Sequence, residues 1–301
     1  GLTIWTVSTI ESDTFLLSIS TKNTSLFLFK LFYYSTGFVI LKLISIKAVS
    51  QRNGVLMRNI KLTIEYDGSR YQGWTRLGKD ESGNTISNKI TEVLKKMTEE
   101  DDLELFCGCR TEVGVHAYAQ IANFKTSSST TTQNIKHYLN RYLPMDIAII
   151  DVKEVPERFH AQLNATSKTY VYRMTIDDVP SVFDRKYTYH CYRIPDKRLM
   201  QQAAEKLTGR HDFRNFSSAK KTKSTVREIF DIDIYGDIEE MQILIHADDF
   251  LHNMARIIIG TLMDIGLGNR SVQDIDDIFA GILEASAPCD PKGLYLQEIT
   301  Y

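Results

Sequence analysis

Cysteine is scarce in this chain: Cys107, Cys109, Cys191 and Cys289 are the only four in 301 residues. So few thiols cannot build the disulfide scaffold of a small secreted protein, and they fit a reducing, cytoplasmic setting. Cys107-Gly108-Cys109 lacks a second Cys or His pair at zinc spacing, and Asp248-Asp249 and Asp276-Asp277 fit a cation site and helix-start acids equally well. No metal is therefore assigned. Glycine-rich phosphate loops are missing as well, because Gly260, Gly266 and Gly268 form neither a Walker loop nor a dinucleotide fingerprint. No apolar run is long enough to span a bilayer. The most apolar stretch, Leu26–Ile46, is interrupted by Lys30 and Lys42, which leave 11 uncharged residues between them; a spanning helix needs about 20. Charge of one sign is also lacking, the net value being -2, so a nucleic-acid partner requires a local basic patch. What remains, at 43% hydrophobic and 25% charged residues, is a globular protein of one large or two medium domains.

Residues 1–56 differ from the rest. They carry +3 of charge against -5 for the remainder, are rich in Ser, Thr, Leu and Ile, and show no clean helical or strand period. An orderly pattern begins at Met57. Residues 1–56 are therefore expected to be a poorly ordered upstream extension, with no role at a membrane and Met57 as the natural start.

From Met57 onward the pattern alternates between strands and helices. Ile60, Leu62, Ile64 and Tyr66 share one face of a strand that stops at the turn signal Asp67-Gly68. Asn84-Thr85 opens a helix with Ile86, Ile90, Val93, Leu94 and Met97 on one side. Strands are expected at 103–107, 118–124 and 147–152, with a helix between the last two that ends at Leu143-Pro144. The second half repeats the theme. Strands are expected at 170–176, 229–235, 241–247 and 294–301. Helices are expected around Leu199–Leu207, over 250–265 and over 272–283. The pattern predicts an α+β fold of two similar halves, 57–165 and 166–301, with mostly antiparallel sheets covered by helices.

Two stretches carry chemistry. Between Arg193 and Arg227 lie ten basic residues against three acids, with Phe213 and Phe216 interleaved and a polar loop from Ser217 to Thr225. Mobile cations such as Lys220, Lys221 and Lys223 suit phosphate contacts, and aromatics suit base stacking; a solvated basic face reads the same way. The densest cluster is Gly108-Cys109-Arg110-Thr111-Glu112-Val113-Gly114-Val115-His116, where a cation, an acid and an imidazole fall within seven residues. General acid–base work, a nucleophilic carboxylate and a structural ion pair all fit it.

From Met57 to Tyr301 the chain resembles the TruA-type tRNA pseudouridine synthases. Seven segments carry the likeness in order: YDGSRYQGW (66–74), CRTEVGVHAYAQIANF (109–124), LPMDIAI (143–149), FHAQLNATSKTYVYRM (159–174), LTGRHDFRNF (207–216), FLHNMARIIIGTLMDIGLG (250–268) and PKGLYLQEITY (291–301). The resemblance implies a pseudouridine-synthase-like fold and isomerisation of uridine to pseudouridine in the tRNA anticodon stem-loop. It also implies no metal or cofactor and a cytoplasmic homodimer whose subunits form the tRNA clefts. Carried over residue by residue, Glu112 stands at the catalytic carboxylate and Arg110 at the arginine that places the nucleotide. Tyr170 stands at the stacking tyrosine, Arg256 at the partner of the acid, and Leu294 at the apolar residue beside the uracil. His116, Lys220, Lys221 and Lys223 are expected to contact substrate. The chain departs from the family motif GRTDAGVHA at three points: Glu112 for Asp, Val113 for Ala, and Cys109 for the small residue before Arg. Two readings follow, a synthase that works with glutamate, or a relative that binds or chaperones tRNA without turnover.

Overall fold

The computed structural model describes residues 3–7, 14–20, 27–32, 40–44, 57–75, 83–219, 224–236 and 239–301. The chain divides into two compact units, 1–56 and 57–301. In the first, strands β1 (Thr3–Val7), β2 (Thr14–Ser20), β3 (Phe27–Phe32) and β4 (Ile40–Ile44) pair antiparallel in sequence order. The sequence reading assigned no elements there. Aromatic and β-branched residues favour extended backbone even without a clean alternation, which accounts for the difference.

The second unit begins with β5 (Arg58–Tyr66), α1 (Ile86–Thr98), β6 (Leu105–Cys107), β7 (His116–Thr126), α2 (Thr132–Tyr142) and β8 (Ile147–Val155). It continues with β9 (Ser167–Ile176), β10 (Tyr189–Cys191), α3 (Lys197–Leu207), β11 (Gly209–Asp212), β12 (Val226–Gly236), β13 (Met241–Ala247), α4 (Met254–Gly266), α5 (Asp274–Phe279) and β14 (Leu294–Thr300). Local chemistry sets most boundaries. The Thr85 hydroxyl accepts from Asn88 N–H at the start of α1, Thr131 does the same for Asn134 in α2, and the Asp196 carboxylate accepts from Arg198 and Leu199 N–H in α3.

One sheet crosses both sequence halves. Its order is β11-β12-β13-β9-β14-β7-β5-β8, with β10 added beside β9 and β6 beside β7. The join is β14, which runs antiparallel to β9 of the second half and parallel to β7 of the first. The alternating pattern is thus realised as a mostly antiparallel α+β structure, with the two halves fused edge to edge.

Helix α4 is the most deeply buried, with ten of its 13 residues enclosed. It starts at Met254, four residues later than its apolar pattern suggests, because Asn253 takes a left-handed conformation (φ 62°) that a helix cannot extend through. Its Gly260 lies so close to the strap before β14 that a Cβ there would meet the Ala287 carbonyl oxygen at 2.3 Å. Each fully buried Ile or Leu on this helix stabilises the unit by about 1.5–3 kcal/mol.

His116, at the start of β7, is a core residue. Its ring is 1% exposed and stacks on Tyr295 at 4.8 Å, which stacks in turn on Tyr118 at 4.7 Å. Its Nδ1 accepts from Gly68 N–H at 3.1 Å, with Asp67 Oδ1 3.2 Å away. Burial lowers its pKa below 6.5 and outweighs the attraction of Asp67. The unfolded chain therefore takes up a proton first as pH falls. Stability from this group is complete above pH 6.5 and is lost as pH drops toward the lower folded value, by at most about 1.4 kcal/mol per pH unit. Denaturant unfolding between pH 7 and pH 5 should show that loss, and His116→Gln should flatten the slope even if it lowers stability throughout.

Candidate active site

The loop from Gly108 to Val115 joins β6 to β7 and is held in place from beneath. Gly108 N–H donates to the Ile121 carbonyl at 2.7 Å. The Gln120 carboxamide receives Cys109 N–H at 3.2 Å and donates to the Cys109 carbonyl at 2.6 Å. The Thr111 hydroxyl meets the Tyr66 hydroxyl at 2.6 Å, and the Thr111 carbonyl accepts from Trp74 N–H at 3.0 Å. Gly73 packs directly on this loop with φ 80°, and a Cβ there would lie 2.7 Å from the Thr111 oxygen. The YDGSRYQGW segment thus acts as a support for the 109–116 cluster.

That support leaves the Glu112 side chain reaching across to the N-terminus of α4. Its Oε1 accepts from the Asn253 backbone N–H at 2.7 Å and its Oε2 from Arg256 Nη1 at 3.0 Å. A carboxylate only accepts, so the Asn253 carboxamide turns its nitrogen toward Glu112, donating to Oε2 at 2.7 Å, while its oxygen accepts from the Ser218 hydroxyl at 3.0 Å. A helix N-terminus favours an anion at this point. Arg256 is fixed independently. Its Nε donates to the Cys289 carbonyl at 2.8 Å, and its own carbonyl accepts from Cys289 N–H at 3.0 Å. Two segments 144 residues apart are thereby joined by one ion pair whose side chains are mostly shielded from solvent.

Glu112 lines a cavity of about 600 Å³ together with Arg110, Tyr170, Leu294, Phe250 and Lys168. Tyr170 projects from β9, where it pairs with Ile245 of β13 and Leu296 of β14. Its ring meets Phe250 edge-on at 5.0 Å, and its hydroxyl lies 3.1 Å from Cys109 Sγ. Burial, then the adjacent Cys109, raises the Tyr170 pKa well above its ordinary value, so the phenol keeps its proton. Burial likewise raises the Cys109 thiol, which makes it a poor nucleophile at neutral pH. Leu294 is 2% exposed, at the first position of β14. Arg110 is exposed at the cavity and has no hydrogen-bonding or ion-pair partner among the described residues.

Of the residues singled out in the sequence, Glu112, Arg110, Tyr170 and Leu294 surround one cavity, and Arg256 holds the carboxylate from behind. His116 does not join them. It lines a second cavity of about 410 Å³ with Tyr118, Arg173, Tyr187 and Tyr295. Lys220, Lys221 and Lys223 lie outside the described residues. Sequence reasoning missed Asn253, Phe250 and Lys168, and read Asp249 as a cation ligand or helix-start acid. Only Asn253 had a local signal, an Asn directly before an apolar helix. The arrangement presents a positioned carboxylate, a protonated phenol ring and an apolar wall around a cavity large enough to admit a nucleotide base, with a free cation beside it. Such a site can hold an unstacked base and stabilise positive charge developing at the atom facing the carboxylate.

The family model described as "tRNA pseudouridine synthase" matches residues 62–164 and 203–301. A tRNA pseudouridine synthase A 2 of Bacillus anthracis is 40% identical over 248 residues, 81% of this chain and 100% of that protein. The Clostridium perfringens protein of the same name is 42% identical over 248 residues, again 81% and 100%. A tRNA pseudouridine synthase A from a Bacillus species (strain KSM-64) is 41% identical over 247 residues, with the same coverage. Among solved structures, a chain of a Cbf5–Nop10–Gar1 complex is 12% identical with a TM-score of 0.33, covering 79% of this chain and 48% of that one. By the span of the family model and the full-length match to these relatives, the chain belongs to the tRNA pseudouridine synthase family.

Proposed function

We propose that this protein isomerises uridine to pseudouridine in the anticodon stem-loop of tRNA. The observation that carries the reading is the Glu112 carboxylate, fixed by Arg256 and Asn253 in the same cavity as Tyr170 and Leu294. In this reading a target uridine leaves its stack and enters the cavity, with the Tyr170 ring against the base and Leu294 beside it. The N1–C1′ bond breaks while Glu112 stabilises the positive charge at C1′. The uracil turns over, C5 bonds to C1′, the C5 proton departs and N1 gains one. The N1–C1′ and C5–H bonds broken are replaced by C5–C1′ and N1–H, and the formal reduction of C1′ is balanced by oxidation of C5, so the isomerisation is redox-neutral overall and needs no external oxidant or reductant. Arg110, unpaired beside the cavity, suits the backbone of the flipped nucleotide.

The same reading takes the protein as a cytoplasmic homodimer whose subunits line the tRNA cleft, supported by the family likeness and the basic segment Arg193–Arg227. It confines the enzyme to residues 57–301, which hold every site residue. Among the described residues no helix is long and apolar enough to cross a membrane.

Unmodified tRNA transcripts incubated with the protein should gain pseudouridine at a defined anticodon stem-loop position; tight binding with no product at any position would favour the binding-only reading. Glu112→Gln should abolish product while leaving tRNA affinity within a few-fold, as measured by filter binding. Glu112→Asp shortens the side chain by about 1.5 Å, withdrawing the carboxylate from Asn253 N–H and Arg256. Single-turnover rates should then fall by about 10- to 100-fold. Charge reversal at Lys220, Lys221 or Lys223 should weaken tRNA binding and reduce its salt dependence, by about one counterion per lysine neutralised. An unchanged slope would remove that loop from the interface.

A further inference from the structure

The cavity contains a charged pair that the chemistry at Glu112 does not use. Lys168, two residues before Tyr170 on β9, is 9% exposed along its side chain, and its Nζ donates to Asp249 Oδ1. Asp249 sits between β13 and α4, directly before Phe250, whose ring meets that of Tyr170 at 5.0 Å. Both members of the pair line the same cavity as Glu112. Lys168 is buried but the Asp249 side chain is 46% exposed, so solvent screens the pair and it adds little to stability. What the pair offers instead is unspent hydrogen-bonding capacity. The ammonium has three N–H groups and gives one to Asp249. The second Asp249 oxygen faces Arg227 Nη2 at 3.9 Å, beyond hydrogen-bond range.

We propose that Lys168 and Asp249 read the Watson–Crick edge of the target base and so select uracil over cytosine. This rests on the functional reading above. Uracil presents a carbonyl acceptor next to the N3–H donor, which complements an ammonium beside a carboxylate. Cytosine reverses both, with an N4 amino donor beside an N3 acceptor, and would set donor against donor and acceptor against acceptor. The pair also suits the turnover of the base. Rotation about the N3–C6 axis exchanges N1 with C5 and O2 with O4 but returns an N–H flanked by carbonyls to the same place. One donor and one acceptor can thus hold the uracil before and after it turns. Lys168 and Asp249 are in this view specificity-determining and positioning residues, with Glu112 the reacting group.

The test begins by mapping the uridine that the wild-type protein converts. Absence of product at every position would overturn the functional reading, and this proposal with it, before any variant is made. Dissociation constants are then measured in the full chain carrying Glu112→Gln, which keeps the RNA unconsumed. The RNAs hold uridine, cytidine or N3-methyluridine at the mapped position. Uridine RNA should bind at least about tenfold more tightly than the other two. Adding Asp249→Asn or Lys168→Met should reduce the uridine-to-cytidine ratio to less than about threefold, mainly by loss of uridine affinity, while Lys168→Arg should retain most of it. A uridine-to-cytidine ratio near one in the Glu112→Gln protein with Lys168 and Asp249 intact would overturn the proposal. So would equal weakening of all three RNAs by both variants, the result expected if the pair only fastens the segment before α4 to β9.

Discussion

The contact between Glu112 and Arg256 organises this molecule around its cavity. The carboxylate comes from a loop in the first half of the sequence, and the guanidinium from a helix in the second. Each is anchored by its own surroundings. The loop rests on Gln120, Tyr66 and the backbone at Trp74, and Arg256 is tied to the strap at Cys289 through its side chain and its carbonyl. Preorganisation of this kind matters because a carboxylate that must stabilise transient charge is effective only if its position is settled before the charge appears. Free in solution, a glutamate side chain has many rotamers; here three donors leave it one.

The sheet makes that contact achievable. Placing β14 between β7 and β9 turns two chain halves into a continuous surface, and the cavity lies where residues of β9 and β14 and the loop leading into β7 meet the segment before α4. Tyr170 and Leu294 are on neighbouring strands, and the Glu112 loop leads into the third. The left-handed Asn253 is a further consequence. By halting α4 at Met254, it exposes a backbone N–H aimed at the acid, so the residue that shortens the helix also completes the carboxylate's coordination.

Glutamate in place of the motif's aspartate is accommodated by this geometry rather than merely tolerated. The longer side chain spans from the loop to the helix N-terminus with hydrogen bonds of ordinary length, 2.7 and 3.0 Å. Val113 is 60% exposed and points no bulk into the core, while Cys109 fills a buried position beside the Tyr170 hydroxyl. The three departures from the motif therefore fall at places where the fold has room for them.

Much was legible from the sequence alone, because it depends on local periodicity and side-chain chemistry. The strand at Ile60–Tyr66, the helices capped by Thr85, Thr131 and Asp196, and the strand Met241–Ala247 all follow from alternation, 3.6-residue spacing and capping hydroxyls or carboxylates. The residues Arg110, Glu112, Tyr170, Arg256 and Leu294 are legible in a different way, through the resemblance to the family motifs and not through periodicity. What only the tertiary structure decided are pairings over long sequence separation: β14 between β7 and β9, Glu112 on Asn253 and Arg256, and Lys168 on Asp249. His116 shows why. Its neighbours in sequence suggested a place at the substrate, yet successive side chains in extended backbone point to opposite faces of a sheet. The face that receives His116 also carries Tyr118 and Tyr295, and their rings enclose it. A linear pattern states which side chains are available; the register between distant strands decides which of them share a cavity.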